Sequence, residues 1–143
     1  MKKTISLILS ILLVFIMSVP AFATDSSGYR TASTMQTNFT SIWSISAGLS
    51  IDTSGQAHCS GSVTPSSESY TSKLTVALQK YTGSSWSTVK SWTSSAVGQM
   101  GVIIDGYYYV TSGSYRTCST AQIYNSAGCL LETESCYSAT KTY

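Results

Sequence analysis

From Ile45 onward the chain repeats with a period of two, and that excludes most folds. Ile45, Ala47, Leu49 and Ile51 alternate with Ser46, Gly48 and Ser50. A strand turns successive side chains to opposite faces, so this alternation marks half-buried strands. Ala57, Cys59, Gly61 and Val63 form the apolar side of the next run, opposite His58, Ser60 and Ser62. Leu74, Val76 and Leu78 follow, and Trp86 to Thr93 returns after the loop Thr82-Gly83-Ser84-Ser85. Val102–Ile104 and Tyr107–Val110 read as one strand interrupted by a turn or bulge at Asp105-Gly106. Tyr115–Tyr124 and Leu130–Tyr137 form a last hairpin around Asn125-Ser126-Ala127-Gly128. Turns fall at Asp52-Thr53-Ser54-Gly55 and Ser112-Gly113, and a Ser- and Pro-rich loop at Thr64–Thr71. No helical period is sustained in this region. The expected fold is all-β: a single antiparallel immunoglobulin-like sandwich of about seven strands.

The first residues follow another plan. Lys2 and Lys3 precede an apolar run from Ile5 to Val19, and Ala21-Phe22-Ala23 offers a small-x-small cleavage site. That order is a secretory signal peptide. The expected division is a signal peptide at 1–23, a polar N-terminal arm at 24–40 and the β-sandwich at 41–143. The apolar run is too short to favour a retained membrane anchor, and no second one follows. Secretion to the extracellular space is the expectation.

Of eight Lys and Arg, Lys2 and Lys3 leave with the signal peptide, so six cations face six carboxylates. A neutral chain without a basic stripe gives no electrostatic footprint for nucleic acid or an anionic membrane. No Asp/Glu cluster offers a calcium site and no His/Cys set an open zinc site, so no metal or cofactor is expected.

Cys59, Cys118, Cys129 and Cys136 all follow the leader, which suits disulfides in an oxidising compartment. A three-residue loop at Ser126–Gly128 sets Asn125 opposite Cys129, and then Cys118 opposite Cys136. Directly opposed strand residues lie about 4.5–5.5 Å apart, within disulfide reach. The expected pairs are therefore a Cys118–Cys136 staple on an outward face with Glu132 and Glu134, and Cys59–Cys129 between sheets. The rival is Cys59–Cys118, which needs an inward Cys118 beside the polar Arg116 and Gln122. A one-residue slip reverses these faces.

In the other hairpin a four-residue loop pairs Tyr81 with Trp86 and Leu78 with Val89. Tyr81, Trp86, Lys90 and Trp92 then face out. Exposed flat aromatics offer a platform for sugar rings or a protein partner. Tyr81, Trp86 and Trp92 are the candidate ligand-binding residues. The alternative is that one or both tryptophans cap an open end of the core.

No catalytic residues are assigned. His58 is the one histidine, and its neighbour Cys59 is expected to be oxidised and so unable to serve as a thiolate. Glu132 and Glu134 lie about 7 Å apart along a strand, a spacing within glycosidase range, but read as solvated surface residues. Asn38-Phe39-Thr40 is a glycosylation sequon. Tyr107, Tyr108, Tyr109 and Tyr115 crowd one region, and Tyr115 is placed to bond back across a corner.

Several pieces together carry a resemblance. They are Ala47-Gly48-Leu49-Ser50-Ile51, Cys59-Ser60-Gly61-Ser62-Val63, Leu78-Gln79-Lys80-Tyr81 with Trp86, Thr88-Val89-Lys90-Ser91-Trp92-Thr93, and Tyr108-Tyr109-Val110 with Tyr115-Arg116. The chain from Ala47 to Tyr137 resembles an uncharacterised family of short secreted β-sandwich proteins from Gram-positive bacteria. The resemblance implies an extracellular β-sandwich and no activity or ligand. Cys118, Cys129 and Cys136 stand outside its usual pattern.

The expected function is a secreted, non-enzymatic module that binds cell-wall or surface glycan or an extracellular protein. The alternative is a secreted effector or antimicrobial protein stabilised by disulfides. A hydrolase ranks last, for want of a base and a paired acid.

Overall fold

The computed structural model describes residues 39–143. The expected signal peptide and all but the last two residues of the expected polar arm, with Asn38 of the sequon, lie outside the described residues. Eight strands follow: β1 (Ile42–Ile51), β2 (Gln56–Pro65), β3 (Thr71–Tyr81), β4 (Trp86–Val97), β5 (Val102–Tyr109), β6 (Ser114–Tyr124), β7 (Leu130–Tyr137) and β8 (Lys141–Thr142). They form two antiparallel sheets. The small sheet has three strands in the order β1-β2-β5; the large sheet has five, in the order β4-β3-β6-β7 with β8 also on β6. The expected all-β antiparallel sandwich of two sheets is present, and the two-residue β8 is the strand that sequence did not show.

Alternation explains which side chains meet between the sheets. Ile45 and Ala47 on β1, Ala57, Cys59 and Val63 on β2, and Leu74, Val76 and Leu78 on β3 are buried. Val102 and Ile104 on β5, and Ala121 and Ile123 on β6, close the core. Each large aliphatic buried this way stabilises the fold by about 1.5–3 kcal/mol. At Gly61 a Cβ would lie 2.4 Å from Ser119 Oγ and 2.5 Å from Val76 Cγ2, so the sheets approach closely where both inward residues are small.

The turns follow their composition. Asp52 Oδ1 accepts from Ser54 N, Ser54 Oγ and Gln56 N at 2.8, 2.7 and 2.9 Å. The Ser54 hydroxyl, then the Gln56 N–H, holds the Asp52 carboxyl below its ordinary pKa. Asn125 Oδ1 likewise accepts from Ala127 N and Cys129 N. Tyr115 is buried at the start of β6, and its hydroxyl donates to the Thr111 carbonyl at 2.8 Å. This is the expected corner contact.

Three features depart from the expected registers. On β4 the partner of Leu78 is Lys90 and that of Gln79 is Thr88, so Val89 is an extra residue at a bulge. On β7 Ile123 faces Glu132 and Tyr124 faces Leu130, which makes Leu131 an extra residue. Each bulge turns the strand beyond it over. The third is β5, which runs unbroken through Asp105 and Gly106. Gly106 is not a turn. A Cβ there would sit 2.4 Å from Trp92 Cε2, so the glycine admits the indole from the other sheet.

Candidate functional site

The hairpin of β3 and β4 places two of the three candidate aromatics together. Tyr81 and Trp86 are opposed across the strands, on the outer face of the large sheet. Their ring centroids are 5.3 Å apart and tilted by 49°. Tyr81 stays 43% exposed. Trp92 is a correction. The Val89 bulge turns it inward opposite Val76, where it packs against the core and over Gly106. It caps the open side of the sandwich between β4 and β5. Lys90 is turned over with it, opposite Leu78, but stays in solvent at the sheet edge.

Two residues from the other hairpin complete the outer row. The Arg116 guanidinium carbon lies 4.4 Å from the Trp86 ring centroid and 4.1 Å from that of Tyr137. Arg116 Nε donates to Gln79 Oε1 at 2.9 Å. The row therefore crosses the sheet from Trp86 on β4, past Gln79 on β3 and Arg116 on β6, to Tyr137 on β7. Cation–π stacking of this kind contributes about 0.5–1 kcal/mol at exposed sites. It also holds a planar group with five N–H donors in a fixed orientation. The Leu131 bulge, which leaves no sequence mark, is what turns Tyr137 out beside Arg116.

Beside this row the outer face is lined with hydroxyls. Thr93, Thr75, Thr120 and Ser135 lie opposite one another across four strands. Thr75 Oγ1 and Thr93 Oγ1 are 2.9 Å apart, and Thr120 Oγ1 and Ser135 Oγ 2.8 Å. Strand after strand, this face offers short, paired hydroxyls next to flat rings.

The cysteine pairings are corrected by the same bulge. Cys136 faces Ser119 rather than Cys118, and Cys118 faces Tyr137. Cys118 keeps the outward side and Cys136 is turned into the core, so they do not form the expected staple. Cys129 lies exposed in the turn, away from the buried Cys59. All four are free thiols in this structure. The outward side of Cys118 likewise disfavours its pairing with Cys59. Burial raises the Cys59 thiol pKa, against a smaller lowering by the Thr117 hydroxyl. Burial, and then nearby Cys118, pushes Cys136 up to about 11.

Glu132 and Glu134 are also turned to the inward side of β7, opposite Ile123 and Ala121. Glu132 is not a free surface carboxylate. Its Oε2 accepts from Ser41 N at 2.7 Å and its Oε1 from Thr40 N at 3.4 Å, which ties down the entry to β1. His58 is on the outer face of the small sheet as expected. It stacks on Tyr107 with centroids 4.6 Å apart, and its Nε2 donates to Asp105 Oδ1 at 2.8 Å. His58 and Cys59 point to opposite faces, so they form no catalytic pair. Among the described residues, no group of three or more His, Cys, Asp and Glu is placed to hold a metal.

One small cavity of about 160 Å³ lies at the end of the sandwich, lined by Lys80, Tyr108, Tyr109, Thr111 and Tyr115 among others. Lys80 Nζ donates to Thr111 Oγ1 at 3.1 Å there and stands 5.4 Å from the Tyr115 ring centroid. The lysine braces the β5–β6 turn beneath the corner tyrosine. Comparison with protein-family models, with curated proteins and with solved structures gave no match to this chain, so its fold stands as an all-β two-sheet domain and no family is identified.

Proposed function

We propose that this chain is a secreted, non-enzymatic binding module for extracellular glycan, and that the outer face of the large sheet is its binding surface. The observation that carries this reading is the row of Tyr81, Trp86, Arg116 and Tyr137 on the outer face of the large sheet, three aromatic rings around one guanidinium, with Tyr81 and Tyr137 exposed and Trp86 and Arg116 half-buried. Sugar rings present C–H faces that pack on aromatic rings and hydroxyls that pair with polar side chains. The Thr93–Thr75–Thr120–Ser135 row supplies the second partner. A protein ligand would favour a larger and less hydroxylated apolar patch. The leader-like start of the chain supports secretion, and the Tyr115 corner supports the immunoglobulin-like reading of the sandwich.

The test is a pull-down of the full chain, produced by a secreting host, on purified cell wall and a panel of insoluble glycans. A Tyr81→Ala/Trp86→Ala variant of verified fold runs beside it. Retention that the variant loses is the expected result. Equal retention of both proteins moves the site elsewhere, and no retention of either sinks the glycan reading.

A further inference from the structure

Resting on that glycan-binding reading, we propose that the Trp86–Arg116–Tyr137 row takes an anionic glycan, a sugar polymer bearing carboxylate or phosphate groups, with Arg116 reading the charge. The distribution of charge over the molecule is the first ground. Among the described residues the one ion pair is His58–Asp105, on the small sheet. Asp52 and Glu68 lie in loops, Asp105 lies on the outer face of the small sheet, and Glu132 and Glu134 are on the inward side of β7. Among the described residues the outer face of the large sheet thus carries Lys73 and Arg116 and no carboxylate.

The state of Arg116 is the second ground. It is half-buried between two rings, and Nε is its one nitrogen with a hydrogen-bond partner among the described residues. Its terminal amino groups remain for a ligand. Partial withdrawal from water strengthens the attraction of a cation for an incoming anion. A guanidinium pairs with carboxylate or phosphate through two parallel N–H···O bonds, and stacking has already fixed its plane. A neutral sugar would leave that charge unmatched. An acidic peptide would meet it but make little use of the flanking rings and hydroxyl row.

Binding of the full chain to four soluble polymers separates the sources: polygalacturonate for carboxylate, poly(glycerol phosphate) for phosphate, a neutral glucan, and polyglutamate. The expected result is binding to at least one of the first two, at least about tenfold tighter than to the glucan, the scale of one charge-assisted pair. Added salt weakens it. Arg116→Gln abolishes the preference and Arg116→Lys retains part of it; unchanged near-ultraviolet dichroism checks the fold of each. Should Arg116→Gln fail to fold, the Arg116→Lys and salt arms carry the test. Equal affinity for anionic and neutral polymers, or an Arg116→Gln variant that binds as before, overturns the anionic assignment and leaves the glycan reading intact. Polyglutamate bound as tightly as either anionic glycan overturns the choice of a sugar polymer. Glycan binding that survives Tyr81→Ala/Trp86→Ala moves the site off this row and overturns the role of Arg116 with it, and no binding to any glycan sinks both readings.

Discussion

The two halves of β4 behave differently although they share one strand. Before Val89, Trp86 lies on the outer face with Tyr81 and Arg116; after it, Trp92 is turned inward over Gly106. Their even spacing would put both rings on one side of a regular strand. A single extra residue separates a candidate contact residue from a core residue. The same strand therefore supplies both a platform and a plug, and the two tryptophans should respond to substitution in opposite ways.

The inner ring gives the largest effect. Trp92→Ala removes the cap between β4 and β5 and leaves Gly106 facing a void. The expected cost is about 2–3 kcal/mol, below that of a fully buried tryptophan because Trp92 keeps some exposure. Denaturant unfolding measures it, and a loss under about 0.5 kcal/mol, the range of an ordinary surface change, would contradict the packed role. Glycan binding by the folded fraction should be unchanged.

Gly106→Ala tests the same contact from the other sheet. Its backbone is not in the left-handed region, so any penalty comes from the 2.4 Å approach of the new Cβ to the indole. About 1–2 kcal/mol is expected from such overpacking. In a Trp92→Ala background the same substitution should cost almost nothing, since the double-mutant cycle removes the clash. An equal cost in both backgrounds would mean that the glycine serves its own strand.

These residues also mark where sequence was readable. Alternation on β1, β2 and β3 was enough to divide inward from outward side chains, because the faces of those strands differ in polarity; on β6 the inward side is marked by Ala121 and Ile123 although Thr117 and Ser119 are buried with them. The Asp52 and Asn125 turns were readable because their side chains make the turn bonds. The Tyr115 corner and the Tyr81–Trp86 pair followed from local spacing. Neither bulge was readable. Val89 and Leu131 are ordinary strand residues, and what selects the bulges is tertiary: Trp92 reaches Gly106, and Glu132 reaches the N–H groups of Thr40 and Ser41. The residues whose faces were misassigned lie at or beyond one of these two points, and the turn expected at Asp105-Gly106 is a separate departure. Arg116 gained its meaning only when Tyr137 was turned out beside it.

The second bulge has its own test, through pH. Cys136 is turned into the core, and its thiol is pushed up to about 11 by burial and by Cys118. Burial raises Cys59 as well. In the unfolded chain a thiol ionises near about 8.5. Between these values the unfolded state holds fewer protons than the folded one, so stability falls as pH rises. The contribution is fully present below about 8.5 and lost as pH passes through about 11. The reduced protein should therefore show a falling unfolding midpoint over that window, and Cys136→Ala a shallower fall. Parallel slopes would place Cys136 in solvent. Alkylation should separate the thiols too, with the exposed Cys129 reacting first.

The outer ring should cost the fold least and the binding most. Trp86→Ala removes one stacking partner of Arg116 and the edge of Tyr81, yet Arg116 keeps Tyr137 and its bond to Gln79. The loss of stability should stay under about 1 kcal/mol, the value of an exposed cation–π contact. Affinity for a retained glycan should fall by at least about tenfold, taking the scale of about 1–3 kcal/mol that a nucleobase-stacking platform loses with one ring. Unfolding and binding measured on the same preparation decide between the two roles. A Trp86→Ala protein that is as unstable as Trp92→Ala would make the outer ring structural, and the division of β4 into platform and plug would fail at Trp86.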